Sequence, residues 1–293
     1  MQQQFNPKNE NIFIWVKDKL YPRSEAKISV FDSAVQGGDA VWEGLRVYKG
    51  KVFCLNEHLE RLQASAHAMM FQQIPDNDFI INAIESTLKA NEMHDGAHIR
   101  LTLTRGEKIT SGMDPRLNQS GCTLIVLAEW KAPVYSNVVT LITSSVRRNS
   151  PANLDSKIHH NNLINNILAK IEANIAGADD ALMLDNNGFV SETNACNIFM
   201  IKNGMVFTPH ADACLPGITR KTVITICNQN NIPIHLKNIS LTEMYNADQV
   251  FTTGTMGELT AVKMIDGRAI VNRSGVDLMQ NITNLFSKLA NGA

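Results

Sequence analysis

Lys157 lies in the stretch Leu154-Asp155-Ser156-Lys157-Ile158-His159-His160-Asn161-Asn162-Leu163. Before it runs a Pro/Asn/Ser-rich loop over residues 149–156, and after it an apolar run of helical spacing, Leu163, Ile164, Ile167, Leu168 and Ile171. A lone lysine is most often a solvated surface charge. Against apolar neighbours an amine leaves water, gives up its proton more readily and adds to a carbonyl, so Lys157 is a candidate Schiff-base lysine. Further along, Pro216-Gly217-Ile218-Thr219 opens a predicted helix. Free backbone N–H groups and the helix dipole favour an anion at such a start, and Thr219 adds a hydroxyl. Plain helix capping would also account for the motif. Gly254-Thr255, at the end of the apparent strand QVFTTG, can supply one more N–H and hydroxyl.

The elements that must carry these groups follow from hydrophobic period and turn chemistry. Residues 12–54 predict short strands, IFIWV and KISVF, then a hairpin LRVYKGKVFCL around Lys49-Gly50. Gln36-Gly37-Gly38-Asp39 is expected to be a flexible loop, either a simple turn or a backbone that approaches a ligand. Asn56 is the expected N-cap of a helix to about Met70, with Leu59, Leu62, Ala66, Met69 and Met70 as its apolar stripe and Arg61 beside it. A second helix over about Asp76–Met93 turns Phe79, Ile80, Ala83, Ile84 and Leu88 inward. Strands HIRLTLTRG and CTLIVLAEW come next, separated by a polar loop over 106–121 of the kind that forms lids or subunit contacts. Lys131-Ala132-Pro133 interrupts the strand pattern and marks a boundary, giving domains 1–131 and 132–293.

The second part opens with the strand NVVTLITSSV and reaches the lysine stretch and a helix to about Gly177. Two hairpins turn at Asn186-Asn187-Gly188 and Asn203-Gly204. The helix from Pro216 runs to about Asn228. A strand (IPIHLK), a short helix (LTEMYNA), the strand QVFTTG and an amphipathic C-terminal helix bearing Val276, Leu278, Met279, Ile282, Leu285, Phe286 and Leu289 complete the chain.

Composition narrows the function classes. The 293 residues are 44% hydrophobic, enough for two globular domains. A net charge of −1, with no long run of one sign, argues against nucleic acid or an acidic membrane surface as the main partner. MQQQFNPKNE has no apolar leader, and no window approaches the ~18 apolar residues of a membrane span, so a cytoplasmic protein without a membrane partner is expected. Cys54, Cys122, Cys196, Cys214 and Cys227 are scattered and never in a C-x-x-C spacing. They read as buried reduced thiols rather than as a disulfide framework or zinc site. The adjacent His159-His160 pair points two ways and makes a poor chelate, so no metal is expected.

Six stretches in order resemble one family. They are Trp42-Glu43-Gly44-Leu45-Arg46, His58-Leu59-Glu60-Arg61-Leu62, the Lys157 stretch, Val190-Ser191-Glu192-Thr193 through Asn197, Leu215-Pro216-Gly217-Ile218-Thr219-Arg220, and Thr253-Gly254-Thr255-Met256-Gly257-Glu258. Together they resemble the class IV aminotransferases, pyridoxal 5'-phosphate (PLP) enzymes with branched-chain and D-amino-acid members. The resemblance runs from about Phe31 to about Ile270. It implies a fold-type IV α/β (α+β) protein, with a smaller N-terminal α/β domain, a larger domain of barrel-like β-structure, the cofactor in the cleft between them, and at least a homodimer.

The resemblance also implies roles. Lys157 would bind the cofactor aldehyde and later shuttle a proton. Glu192 would face the pyridine nitrogen and keep it protonated. Gly217, Ile218, Thr219, Gly254, Thr255 and Arg61 would hold the phosphate, and Leu215 would pack on the ring. Arg100 would receive a distal substrate carboxylate, while the Thr255 and Met256 N–H groups would bind the α-carboxylate. Three positions depart from the branched-chain pattern. Asn162 stands where a tyrosine usually bonds the phenolic oxygen, and Gly37 and His98 stand where tyrosines line the substrate pocket. The reaction type survives these losses, whereas specificity resides in such contacts. The implied activity is transamination from an amino acid, branched-chain L-amino acids first, to 2-oxoglutarate. A D-amino-acid aminotransferase, an aminodeoxychorismate lyase and a PLP-binding protein without turnover are the alternatives.

Overall fold

The computed structural model describes residues 4–133 and 138–292. They form two compact units: an N-terminal unit of residues 4–132 together with 158–162, and a C-terminal unit of 133, 138–157 and 163–292. Residues 158–162, directly after the candidate lysine, therefore pack with the N-terminal unit rather than with their sequence neighbours. Among the described residues no helix is long and apolar enough to cross a membrane.

The N-terminal unit contains β1 (Phe13–Val16), β2 (Lys19–Pro22), α1 (Ser33–Gly37), β3 (Ala40–Tyr48), β4 (Lys51–Val52), α2 (Leu55–Ala68), α3 (Asn77–Ala90), β5 (Ala97–Thr104) and β6 (Thr123–Trp130). Its six strands form an antiparallel sheet in the order β2-β1-β6-β5-β3-β4. Period-2 alternation turns Val41, Leu45, Val47, Ile99, Leu101, Leu103, Leu124, Val126 and Ala128 to one face, where Leu59, Leu62 and Ala66 of α2 and Ile80, Ala83 and Ile84 of α3 cover them. The other face carries Trp42, Arg46, His98 and Arg100. Residues 158–162 add to β3 where β4 does not reach. Trp42 N–H donates to His159 O at 2.9 Å, Asn161 N–H donates to Ala40 O at 2.8 Å, and Val41 and His160 form a bridge.

Local expectations are corrected at several points. KISVF is irregular, with Val30 and Phe31 exposed, because among the described residues it lies in neither sheet and only Phe31 O accepts a long-range backbone bond there, from Lys108 N–H at 3.0 Å. The expected loop at Gln36-Gly37 is the end of α1. Asp32 caps that helix through Ala34 N–H at 2.8 Å, and Gly38 closes it at φ 66°. The cap of α2 is Cys54 in the left-handed region, φ 49°, not Asn56. Met70 and Phe79 are exposed rather than inward.

The C-terminal unit contains β7 (Val138–Thr143), α4 (Ile164–Ile175), β8 (Asp180–Leu184), β9 (Val190–Thr193), β10 (Asn197–Lys202), β11 (Met205–Thr208), α5 (Ile218–Gln229), β12 (Ile234–Leu236), α6 (Leu241–Tyr245), β13 (Gln249–Gly254), β14 (Glu258–Ile265), β15 (Arg268–Ala269) and α7 (Leu278–Ala290). Asn137, the first residue of the expected strand NVVTLITSSV, lies outside the described residues. The nine-stranded sheet runs β12-β11-β10-β13-β14-β7-β8-β9, with β15 on β14. Its edge strand β9 reaches β10, deep in the same sheet, through the short turn 194–196, with Thr193 N–H donating to Cys196 O at 2.8 Å. Only a curled, barrel-like sheet brings those two strands together. Helices α5 and α7 cover one side of it through Val223, Cys227, Ile282 and Phe286.

Helix α4 departs from expectation. Its small residues Ala169 and Ala173 are buried with Ala181 and Met183 of β8. Ile164, Ile167, Leu168, Ile171 and Ile175 are 46–83% exposed. The apolar run after Lys157 therefore does not enclose the lysine.

Candidate active site

In the C-terminal unit, Glu192 is the most constrained of the candidate residues. It sits on β9, only 5% exposed. Oε1 accepts from Arg148 Nε at 2.6 Å and Oε2 from Asn197 Nδ2 at 3.1 Å. Arg148 also donates to Asn165 Oδ1 at 3.2 Å, which ties it to α4. Burial pushes the Glu192 carboxyl up; the Arg148 guanidinium, the Leu215 N–H and the Arg220 charge act against it. An acid held this way is shaped to face a cationic ring nitrogen.

Helix α5 starts directly after Gly217. Gly217 caps α5 without a side-chain bond, so the first N–H groups of the helix, which have no intrahelical acceptor, begin directly after a residue that has no side chain. Lys221 N–H closes the first turn on Gly217 O at 2.9 Å. Leu215 lies before this turn, and its carbonyl accepts from Asn197 Nδ2 at 2.9 Å. Gly254 ends β13, with Thr255 and Met256 in the turn to β14. Just before Gly254, the buried Thr253 hydroxyl has no hydrogen-bond partner among the described residues. A helix start behind a glycine, a buried hydroxyl on Thr253 without a partner among the described residues and a buried acid in one unit fit the phosphate and ring of PLP.

Lys157 belongs to the same unit. The Glu192, Arg220, Arg148 and Lys157 charges all act on the Cys214 thiol, which burial first of all drives up to about 12. The desolvation expected of Lys157 is not met. Its side chain is 47% exposed, with Nζ 3.6 Å from Asp155 Oδ1.

The remaining candidates lie in the N-terminal unit. Arg61, on α2, donates from Nε and Nη2 to the two oxygens of Glu43 at 2.8 and 2.6 Å. Glu43 is fully buried and also takes His58 Nδ1 at 2.6 Å and His159 Nδ1 at 3.1 Å. Burial opposes the Glu43 charge, but His159 and the hydrogen bonds from Arg61, His159 and His58 hold its carboxyl well below the usual range. Arg100 lies 3.4 Å over the Trp42 ring, which packs on His159 at 4.1 Å between centroids. Arg100 Nη2 donates to Asn161 Oδ1 at 3.0 Å, and no carboxylate among the described residues pairs with it. Burial lowers Arg100 only to about 10, so it stays cationic. A Cβ on Gly37 would meet open space, and Asn162 lies beside Gly38.

His98 is 8% exposed. Burial, then the Lys131, Arg100 and Arg46 charges, push its imidazole down to about 3. It is neutral when folded, whereas the unfolded chain takes up a proton as pH falls through about 6.5. Its contribution to stability is therefore present above pH ~6.5 and declines toward the folded value, by about 2 kcal/mol at pH 5. Denaturant titrations at pH 7 and pH 5 are expected to show this loss in the wild type and a smaller one in His98→Asn. Equal losses in the two proteins would contradict it.

Sequence reasoning gave no role to Arg148, Asn197, Glu43, His58 or His159. Glu43 carried a readable signal, a charge at an inward position between Val41 and Leu45. Arg148 carried none.

A family profile described as "Amino-transferase class IV" matches residues 40–265. The chain is 58% identical over 289 residues, 98% of its length, to the branched-chain-amino-acid aminotransferase-like protein 2 of Arabidopsis thaliana, and spans about half (52%) of that relative's length. It is 33% identical over 269 residues to the branched-chain-amino-acid aminotransferase of Pseudomonas aeruginosa, covering 88% of this chain and 86% of that one. Among solved structures it is similar to the T.th. branched-chain amino acid aminotransferase complexed with N-(5'-phosphopyridoxyl)-L-glutamate. That match has a TM-score of 0.88 at 30% identity and covers 97% of this chain and 95% of the other.

Proposed function

The chain belongs to the class IV aminotransferase family, and on that premise we propose that it is a PLP-dependent transaminase passing an amino group from an amino acid to 2-oxoglutarate, with branched-chain L-amino acids as first-choice donors. The buried Glu192, clamped by Arg148 and Asn197, carries this reading. When bound, PLP supplies the aldehyde that takes up the amino group and a ring that accepts the electrons of the broken Cα–H bond.

The chain's residues do the rest. Lys157 would hold the cofactor through Nζ, and the same amine would move the proton at the substrate Cα. Glu192 would keep the proton on the ring nitrogen. The Ile218 and Thr219 N–H groups and the Gly254-Thr255 turn would hold the phosphate, and Arg61, which Glu43 fixes within its own unit, would add charge. Leu215 would pack on the ring, and Asn162, an amide that can donate a hydrogen bond, stands in the place of the usual tyrosine. The Thr255 and Met256 N–H groups take the α-carboxylate, and Gly37 and His98 border the side chain.

Arg100, cationic and hydrogen-bonded to a neutral amide, receives the distal carboxylate of 2-oxoglutarate. The solved relative complexed with a phosphopyridoxyl-glutamate supports that acceptor. Arg100→Leu is expected to raise KM for 2-oxoglutarate by ~10–100-fold while leaving KM for leucine within about threefold. A parallel rise in both would remove the assignment. The exposed apolar stripe on α4 favours a homodimer, which sedimentation measures directly.

Half-reactions with L-leucine, D-alanine and aminodeoxychorismate, followed by the visible absorbance of the bound cofactor, test the function. Conversion of leucine supports the reading. Silence on leucine with turnover of either other substrate transfers the chain to that activity. Bound cofactor without any half-reaction makes it a carrier.

A further inference from the structure

Two consecutive residues stand behind the two glycines of the candidate phosphate site. A Cβ on Gly254 would come within 3.0 Å of Cys196 Sγ, and a Cβ on Gly217 within 2.1 Å of Asn197 Oδ1. Asn197 is the first residue of β10, pairs across the sheet with Thr253, and is 6% exposed. Its Nδ2 spends one hydrogen on Glu192 Oε2 at 3.1 Å and the other on Leu215 O at 2.9 Å. Both acceptors are oxygens, which fixes the orientation of the amide and turns Oδ1 to Gly217. The other Glu192 oxygen is taken by Arg148.

We infer that Asn197 is a positioning residue that locks the Glu192 carboxylate and the Leu215–Gly217 turn into one arrangement, so that the acid for the ring nitrogen and the helix start for the phosphate are set by a single amide. The inference rests on the proposed cofactor chemistry. It explains what a side chain at 217 would disturb although the φ of −61° there suits any residue. The constraint is the amide behind it, not the backbone conformation. An alanine there would push the amide off Glu192, so a change at the phosphate end would be felt at the acid.

The test is a double-mutant cycle of Asn197→Ala and Gly217→Ala. The readouts are the PLP dissociation constant and visible spectrum of each holoprotein, and the melting temperature of each apoprotein. Asn197→Ala is expected to weaken PLP binding by ~10–100-fold and to shift the absorbance band, since a hydrogen bond to a buried charge and one to a carbonyl are lost. Gly217→Ala is expected to cost on the order of 100-fold alone but less than about fivefold beside Asn197→Ala, where nothing obstructs the new methyl. Gly217→Ala by itself should also shift the band, which keeps the inference testable should Asn197→Ala not fold. Additive effects with unchanged spectra, or a lowered melting temperature alone, would mean that Asn197 merely fills space and would overturn the inference. Wild-type protein that takes up no PLP on Lys157 would sink the functional reading, and this inference with it.

Discussion

Lys157→Ala is expected to abolish covalent capture of PLP and to lower transamination by on the order of 10⁴-fold or more. Borohydride reduction and peptide mapping should tag the wild-type peptide at position 157 and nothing in the variant. The fold should not notice the change. The Lys157 side chain is 47% exposed and its nearest charge, Asp155, lies at 3.6 Å and is itself 37% exposed. Truncating such a side chain removes no core packing and strands no buried charge, so unfolding free energy should stay within about 0.5 kcal/mol of wild type. Retained turnover, or a tag on another lysine, would contradict the assignment.

Glu192→Gln should behave differently, because in the proposed reading this side chain serves chemistry as well as stability. A glutamine still accepts hydrogen bonds but cannot hold the proton on the ring nitrogen. Turnover is expected to fall by on the order of 10²–10³-fold while PLP remains attached. The change also leaves Arg148, 6% exposed, without its counter-ion. Losing one member of a buried pair costs about 3–5 kcal/mol. Denaturant midpoints and single-turnover rates on the same preparations measure both effects. An unchanged rate with the stability loss would leave Glu192 a structural residue only.

The contrast between these two positions marks what the sequence could reveal. The helix start at Gly217 was legible because a glycine before such a start has a direct physical meaning, and the two hairpins because Asn-Gly turns specify them. The orientation of α4 was not. Spacing tells which residues share a helix face, but not whether anything covers it, and here two alanines pack while the isoleucines face outward. KISVF failed for a related reason: alternation describes a strand only where a neighbouring edge accepts it. The Arg148–Glu192 pair joins residues 44 apart in sequence, and no local pattern announces a contact of that range. The same holds for residues 158–162, whose attachment to β3 decides what surrounds His159.

The Glu43 cluster limits how this scaffold can be re-engineered. One carboxylate secures an arginine and an imidazole from a single helix and a second imidazole from a distant loop. A library that randomises exposed positions near this cluster can hold position 43 constant and keep most of its members folded. A library that varies position 43 would strip this buried knot of its acid and lose members to misfolding before selection on any substrate began.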